Sequence, residues 1–348
     1  MMADLSQFDP NSVGLLSNNV FGLPFTEEEA KLVILPVPWE VTVSYNQGTS
    51  RAPEHIFKAS LQVDLYDPDV VEGWKQGFYM RQSDKTLLLR SDYLRKEAEL
   101  YLKFLTEGGD IAENPFLRKT LVDVCNGTNT MNEWVYKQSK ELLDKGKLVG
   151  LVGGDHSTPL GYFKAIAEKK GEYGILQIDA HCDLRNGYEG FQYSHASIMY
   201  NALNEIPQIS KLVQVGIRDY CDEEVNFINE SNGRVKTFFD KNIKERQFEG
   251  ETWKSICDNI VEALPQQVFI SFDIDGLDPK LCPNTGTPVP GGFECEQVYY
   301  LFNRVLASGR TIIGFDLNEV GPKHDEWDAN VGARVLFKLC NLLVSQHM

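Results

Sequence analysis

The 348-residue sequence predicts an α/β fold built on a parallel sheet with helices on both faces. Three observations lead there. Short apolar runs at 31–37, 147–152, 173–178, 211–217, 267–270 and 311–315 have strand length and little polar alternation, as strands buried on both faces do. Between them lie single segments of helical period. No repeat, low-complexity tract or Pro/Gly/Ser linker divides the chain, so residues 31–348 read as one domain behind a polar, irregular N-terminal arm at 1–30.

The strand at 31–37 leads into a Gly-, Ser- and Thr-rich loop, from which Trp39, Glu40 and Tyr45 can reach a pocket, and Pro53 opens a short helix. Residues 61–129 are atypical. Asp64, Asp67 and Asp69 read as a solvated turn, and 91–107 carries Leu94, Ala98, Tyr101, Leu102 and Leu105 at helical spacing before Gly108-Gly109 stops it. Thr130 and Glu133 form a capping-box signature that starts the next helix, which Gly146 ends. Helices follow at about 157–170, 251–264, 294–308 and 328–344, and a further strand at 235–239.

The composition is that of an ordinary globular protein, with 24% charged and 42% hydrophobic residues. A formal net charge of −16 argues against binding nucleic acid or an anionic membrane, and tilts toward cationic small molecules. Seven single cysteines without a C-x-x-C pair read as reduced thiols. With no leader-like N-terminus and no bilayer-length apolar run, the expected location is the cytoplasm.

Chemistry gathers where the apolar runs end. Asp179-Ala180-His181-Cys182-Asp183 closes the run at 173–178, and strand alternation would point Asp179, His181 and Asp183 the same way, with Cys182 packing on the opposite face. A lone motif of this kind also fits a solvated turn. Two more stretches favour a site: Gly153-Gly154-Asp155-His156, and Ser271-Phe272-Asp273-Ile274-Asp275-Gly276-Leu277-Asp278-Pro279. In parallel sheets ligands bind beyond the carboxyl ends of the strands, where His156, Asp179, His181, Asp183, Asp273, Asp275 and Glu319 all fall.

Gathering Asp179, Asp183, Asp273 and Asp275 in one crevice without a cation would force several of them to take up protons. Two divalent ions match the four charges, and a carboxylate-rich set with some imidazole suits manganese or a similar ion. Two such ions roughly 3.5 to 4 Å apart provide hydrolytic chemistry. His195 is the one histidine near these strands that is not itself a candidate ligand, so it reads as the proton carrier. Glu319 reads either as a loop acid or as a carboxylate that holds a planar guanidinium by paired hydrogen bonds. There is no G-x-S-x-G elbow and no phosphate-binding loop.

These three motifs together resemble the signatures of the ureohydrolases, the arginase and agmatinase family, and the similarity runs from about residue 31 to 344, including Arg51-Ala52-Pro53-Glu54-His55-Ile56 and Thr285-Gly286-Thr287-Pro288-Val289. The resemblance implies a three-layer α/β/α fold with an eight-stranded parallel sheet, assembled as homotrimers or homohexamers. It implies two Mn2+ bridged by Asp179 and Asp273, with His156 and Asp183 completing one site and His181 and Asp275 the other. It also implies that Asp183 hydrogen-bonds the attacking hydroxide, that His195 shuttles the proton, and that Glu319 orients the guanidinium of a small cationic substrate. The loop from Leu184 to Ser194 lacks the Asn- and Thr/Ser-rich character of arginases and looks like that of agmatinases, as does the stretch from Asp325 to Asn330. The implied reaction is hydrolysis of agmatine to putrescine and urea. Arginine, guanidinobutyrate, guanidine and formiminoglutamate are alternative substrates, and Arg185 could pair with the carboxylate of an acid-bearing one. A non-catalytic, metal-binding oligomeric scaffold is the alternative of another class.

Overall fold

Every apolar run read as a strand enters one eight-stranded, all-parallel sheet, in the computed structural model that describes residues 5–322 and 326–348. The elements, in chain order, are β1 (Leu32–Pro36), α1 (Ala52–Ser60), β2 (Phe78–Met80), α2 (Lys85–Thr106), α3 (Pro115–Asp144), β3 (Leu148–Val152), α4 (Leu160–Lys170), β4 (Tyr173–Ile178) and α5 (Ile198–Glu205). There follow β5 (Ile209–Ile217), α6 (Asp222–Glu230), β6 (Val235–Phe239), α7 (Asp240–Phe248), α8 (Trp253–Glu262), β7 (Gln267–Asp273), α9 (Cys295–Ala307), β8 (Thr311–Asn318) and α10 (Trp327–Ser345).

The sheet order is β2-β1-β3-β8-β7-β4-β5-β6. Alternate strand residues feed two separate cores. Leu32, Ile34, Leu176 and Ile178 pack with side chains of α1, α8, α9 and α10, whereas Val33, Leu35, Val149, Leu151 and Ile175 pack with those of α2, α3, α4 and α5. The result is the expected three-layer α/β/α arrangement, with strands apolar on both sides because both are covered.

Three local expectations change. The helix read from residue 91 starts at Lys85, because Asp84 caps it by accepting the Thr86 and Leu87 N–H groups. Thr130 starts no helix. It lies midway along α3, whose cap is Asn114 with Pro115 at the first position, and its hydroxyl bonds back to the Asn126 carbonyl. The acidic cluster is not a solvated turn either, since Asp67 is buried and both Asp67 and Asp69 accept from Lys338 of α10. Residues 61–129 thus supply the edge strand β2, all of α2 and half of α3.

Of the first 30 residues, read as a polar, irregular arm, Val20, Phe21, Leu23 and Phe25 are buried in the core. Among the described residues no helix is long and apolar enough to cross a membrane. His324 and Asp325 fall outside the described residues.

Candidate active site

The candidate residues extend from four strands that are adjacent in the sheet, β3, β8, β7 and β4. β3 leads through Gly153 and Gly154 to His156, β4 through Asp179 to Asp183, β7 ends on Asp273 with Asp275 two residues on, and β8 is followed by Glu319. Gly154 is required where it stands, since a Cβ there would collide with the Trp39 carbonyl. Four neighbouring parallel strands bring their carboxyl ends to one crevice, so residues up to 163 positions apart in sequence meet.

His156 Nδ1 lies 3.1 Å from Asp179 Oδ2, 3.0 Å from Asp183 Oδ2 and 3.3 Å from Asp273 Oδ2. His181 Nδ1 lies 3.0 Å from Asp275 Oδ2 and 3.7 Å from Asp179 Oδ1. Two clusters result, His156/Asp179/Asp183 and Asp179/His181/Asp275, and Asp179 belongs to both. Asp273 sits beside the first, its Oδ1 accepting the Asp275 N–H at 2.8 Å.

Alternation explains only part of this convergence. β4 ends at Ile178, and the chain stays beside the continuation of β5 as far as the His181–Asp219 bridge. Asp183 then adopts φ +55, a left-handed conformation rare for a residue other than glycine. That turn sets Asp183 against His156 instead of His181. Cys182 is buried in the core, as alternation predicts.

These residues suit cations. His156 Nδ1 and Asp275 Oδ2 are buried and have no hydrogen-bond partner, although oxygens or nitrogens of other candidate ligands stand about 3 Å away. Donors bound to one ion at about 2.1 Å are themselves separated by about 3 Å, whatever their hydrogen-bond angles. The set is nitrogen and oxygen without thiolate, which favours a hard or borderline ion.

The electrostatics show the same need. Burial, then the charge of Asp179, raises Asp183 to about 7. Burial and then Asp275 and Asp179 push Asp273 well above the carboxylate range. Burial opposes a charge on His156, but Asp179, Asp183 and Asp273 outweigh it and raise its pKa. Positive charge is what this crevice attracts.

A further buried network stands behind it. His156 Nε2 is 3.0 Å from Ser271 Oγ, which donates to Asp316 Oδ1 at 3.0 Å, and Asn318 Nδ2 donates to the same oxygen at 2.6 Å. With Nε2 so engaged, Nδ1 is the ring nitrogen left for a ligand role. Sequence reasoning missed Asp316 and Asn318. Their signal was present, as two polar residues spaced by two at the end of an otherwise apolar strand.

Glu319 adopts φ +61. Its Oε1 accepts the His156 N–H at 2.9 Å, whereas Oε2 is buried without a partner and faces Gly286. Burial, then the charge of Asp155, raises its pKa. His195 opens a short 3-10 turn ahead of α5. Its Nδ1 lies 3.2 Å from Ser194 Oγ and 3.3 Å from Thr42 Oγ1, and burial pushes it down to about 3, assisted by the charges of His181 and His156.

A cleft of about 330 Å³ joins these groups. His156, His181, Asp183, Asp273, His195 and Glu319 line its floor, and Tyr45, Arg185, Tyr188, Asp219 and the segment from Thr287 to Val289 line its walls. Of the other two loop residues considered, Trp39 is in the core, and Glu40 is buried, accepting the Gly48 and Ser50 N–H groups.

Comparison with known proteins finds similar chains. The chain is 30% identical over 298 residues to an N(1)-aminopropylagmatine ureohydrolase of Thermus thermophilus, covering 85% of this chain and 84% of that one. It is 28% identical over 305 residues to an agmatinase of Bacillus anthracis, covering 86% and 87%. The crystal structure of an agmatine ureohydrolase of Thermoplasma volcanium shares the fold with a TM-score of 0.69 at 21% identity, over 93% of each chain. The arginase family model matches residues 30–341, a span that includes all four strand ends of the cleft, and the chain belongs to the arginase family.

Proposed function

We propose that this arginase-family hydrolase cleaves the guanidinium group of agmatine, giving putrescine and urea. His156, Asp179 and Asp183 would hold one divalent cation and His181, Asp179 and Asp275 a second, with Asp273 shared, and the oxygen-rich donor set favours manganese. When bound, such a pair supplies a hydroxide nucleophile at neutral pH. The observation that carries the reading is Glu319 Oε2, a buried and unpartnered carboxylate oxygen beside a doubly clustered Asp/His set. A planar guanidinium satisfies it and brings its own compensating charge.

The remaining roles belong to this chain's side chains. Glu319 orients the guanidinium carbon toward the floor. Asp183, between the acid cluster and the cleft, accepts the proton of the attacking hydroxide. His195 relays protons to the departing alkyl nitrogen, the one Asp183 accepted and the one water gave up in becoming hydroxide, so that guanidinium and water become urea and an alkylammonium ion. Neutral imidazole suits this passage, since it can carry a proton without holding it.

Arg185 favours a second reading. Its guanidinium lies 4.9 Å over the Tyr188 ring in the cleft wall and has no carboxylate ion pair among the described residues. A free cation there would pair with the carboxylate of a guanidino acid.

The deciding measurement is urea release by manganese-loaded protein from agmatine, N(1)-aminopropylagmatine, guanidinobutyrate, arginine and guanidine, with metal-free protein as control. Metal-dependent turnover strongest on agmatine is the expected result. Preference for guanidinobutyrate would move the assignment to guanidino acids. Metal binding without turnover of any of these compounds would overturn hydrolysis of guanidino compounds.

A further inference from the structure

The segment 61–129 has no evident chemistry in its sequence, yet its helix α2 touches both loops that wall the cleft. Ser91 Oγ accepts the Glu40 N–H at 2.8 Å. Arg95 Nη1 donates to the Val41 carbonyl at 3.2 Å and also to that of Val43. Tyr101 packs its ring 5.2 Å from that of Phe191, in the loop between Asp183 and His195. The two Arg95 bonds grip the carbonyls on either side of Thr42.

Thr42 is buried, and its hydroxyl meets His195 twice. It accepts the His195 backbone N–H at 3.2 Å and lies 3.3 Å from the ring Nδ1. A hydroxyl that accepts the backbone proton still has its own to give, and Nδ1 is in reach. Given to Nδ1, that proton makes Nδ1 an acceptor and leaves the ring proton on Nε2, and Ser194 Oγ, 3.2 Å from the same Nδ1, shares the contact.

We propose that Arg95 and Thr42 form a positioning relay, in which Arg95 of α2 fixes the backbone at 41–43 so that the Thr42 hydroxyl holds the His195 ring in its orientation and tautomer. Neither residue lines the cleft. The inference rests on the reading of His195 as proton carrier, and it assigns to α2 a part in the chemistry. Misplacing a reacting group by about 1 Å can cost on the order of 100-fold in rate, so a relay of this kind has a measurable signature.

The test is a double-mutant cycle of Thr42→Val and Arg95→Ala on manganese-loaded protein, with His195→Asn and Thr42→Ser alongside. Metal content and thermal unfolding are measured for every variant. Thr42→Val and Arg95→Ala are each expected to lower kcat on the order of 10- to 100-fold with KM and metal content unchanged. The double variant should be no slower than the slower single one, because both act through one ring. Thr42→Ser, which keeps the hydroxyl, should recover most of the loss. Unchanged kcat, a change confined to KM, or additive losses would overturn the relay while His195→Asn stays inactive. Full activity in His195→Asn would instead remove the proton-carrier reading on which the relay depends.

Discussion

Asp273 shows at the scale of one residue how the crevice trades stability for charge. Burial first, then Asp275 and Asp179, place its pKa well above the ordinary value. A carboxyl whose pKa is raised on folding binds its proton more tightly in the folded state. Its ionisation therefore costs stability, beginning as pH passes the unfolded value of about 4 and in full above the folded value. Asp273→Asn removes that cost while keeping Oδ1 as acceptor for the Asp275 N–H. Without metal at pH 8, the variant should melt a few degrees above the parent protein, and the gap should shrink toward pH 4. Added manganese, which should raise the melting temperature of the parent protein by mass action, should leave the variant nearly unmoved. A metal-free variant no more stable than the parent protein at pH 8 would mean that the carboxylates do not repel one another as their spacing demands. The main acids were legible in the sequence because each closes an apolar run. Thr42, Arg95 and Asp316 were not, because what they do depends on tertiary neighbours 45 to 153 positions away.

At the scale of elements, legibility mostly followed apolar periodicity, with the exception of α5, which buries Ile198, Met199, Ala202 and Leu203 and was not read. The helices α8, α9 and α10 each bury a continuous stripe and were read within a few residues of their ends. By contrast α7 buries only Asp240 and Ile243, α6 only Glu224, and β2 is three residues long, so no stripe marked them. The error at Thr130 has a different cause: a capping-box pattern recurs by chance inside a helix, and the signals at Asn114 and Pro115 lie 16 and 15 positions upstream. The two candidate starts make opposite predictions. Asn114 accepts the Leu117 N–H, so Asn114→Ala should cost about 1 kcal/mol. Thr130 is exposed and its hydroxyl bonds to a carbonyl already within the helix, so Thr130→Ala should be neutral or stabilising by a few tenths of a kcal/mol. Chemical denaturation of both variants checks the assignment, and a loss of about 1 kcal/mol at Thr130 would place the helix start there instead.

The molecule as a whole carries a formal charge of −16, and the sheet order concentrates acids in the wall and floor of one cleft. Asp219 in the wall and Glu319 at the floor add to the candidate ligand carboxylates, so even two bound divalent ions would leave the surroundings negative. A field of this kind raises the local concentration of cations and speeds their capture, and salt screens it as the Debye length falls from about 10 Å at 0.1 M to about 3 Å at 1 M. Agmatine is a dication at neutral pH, whereas guanidinobutyrate has no net charge. For agmatine, kcat/KM should fall roughly 3- to 10-fold between 0.05 and 0.5 M sodium chloride, mainly through KM, and for guanidinobutyrate it should change much less. Metal content must be held constant across the series, since the same salt would also weaken a loosely held ion. Equal falls for both substrates would place the effect of salt on the protein or its ions rather than on capture of charge. A flat profile for agmatine would mean that the Arg185 cation cancels the surrounding field where the substrate enters, which would strengthen the guanidino-acid reading.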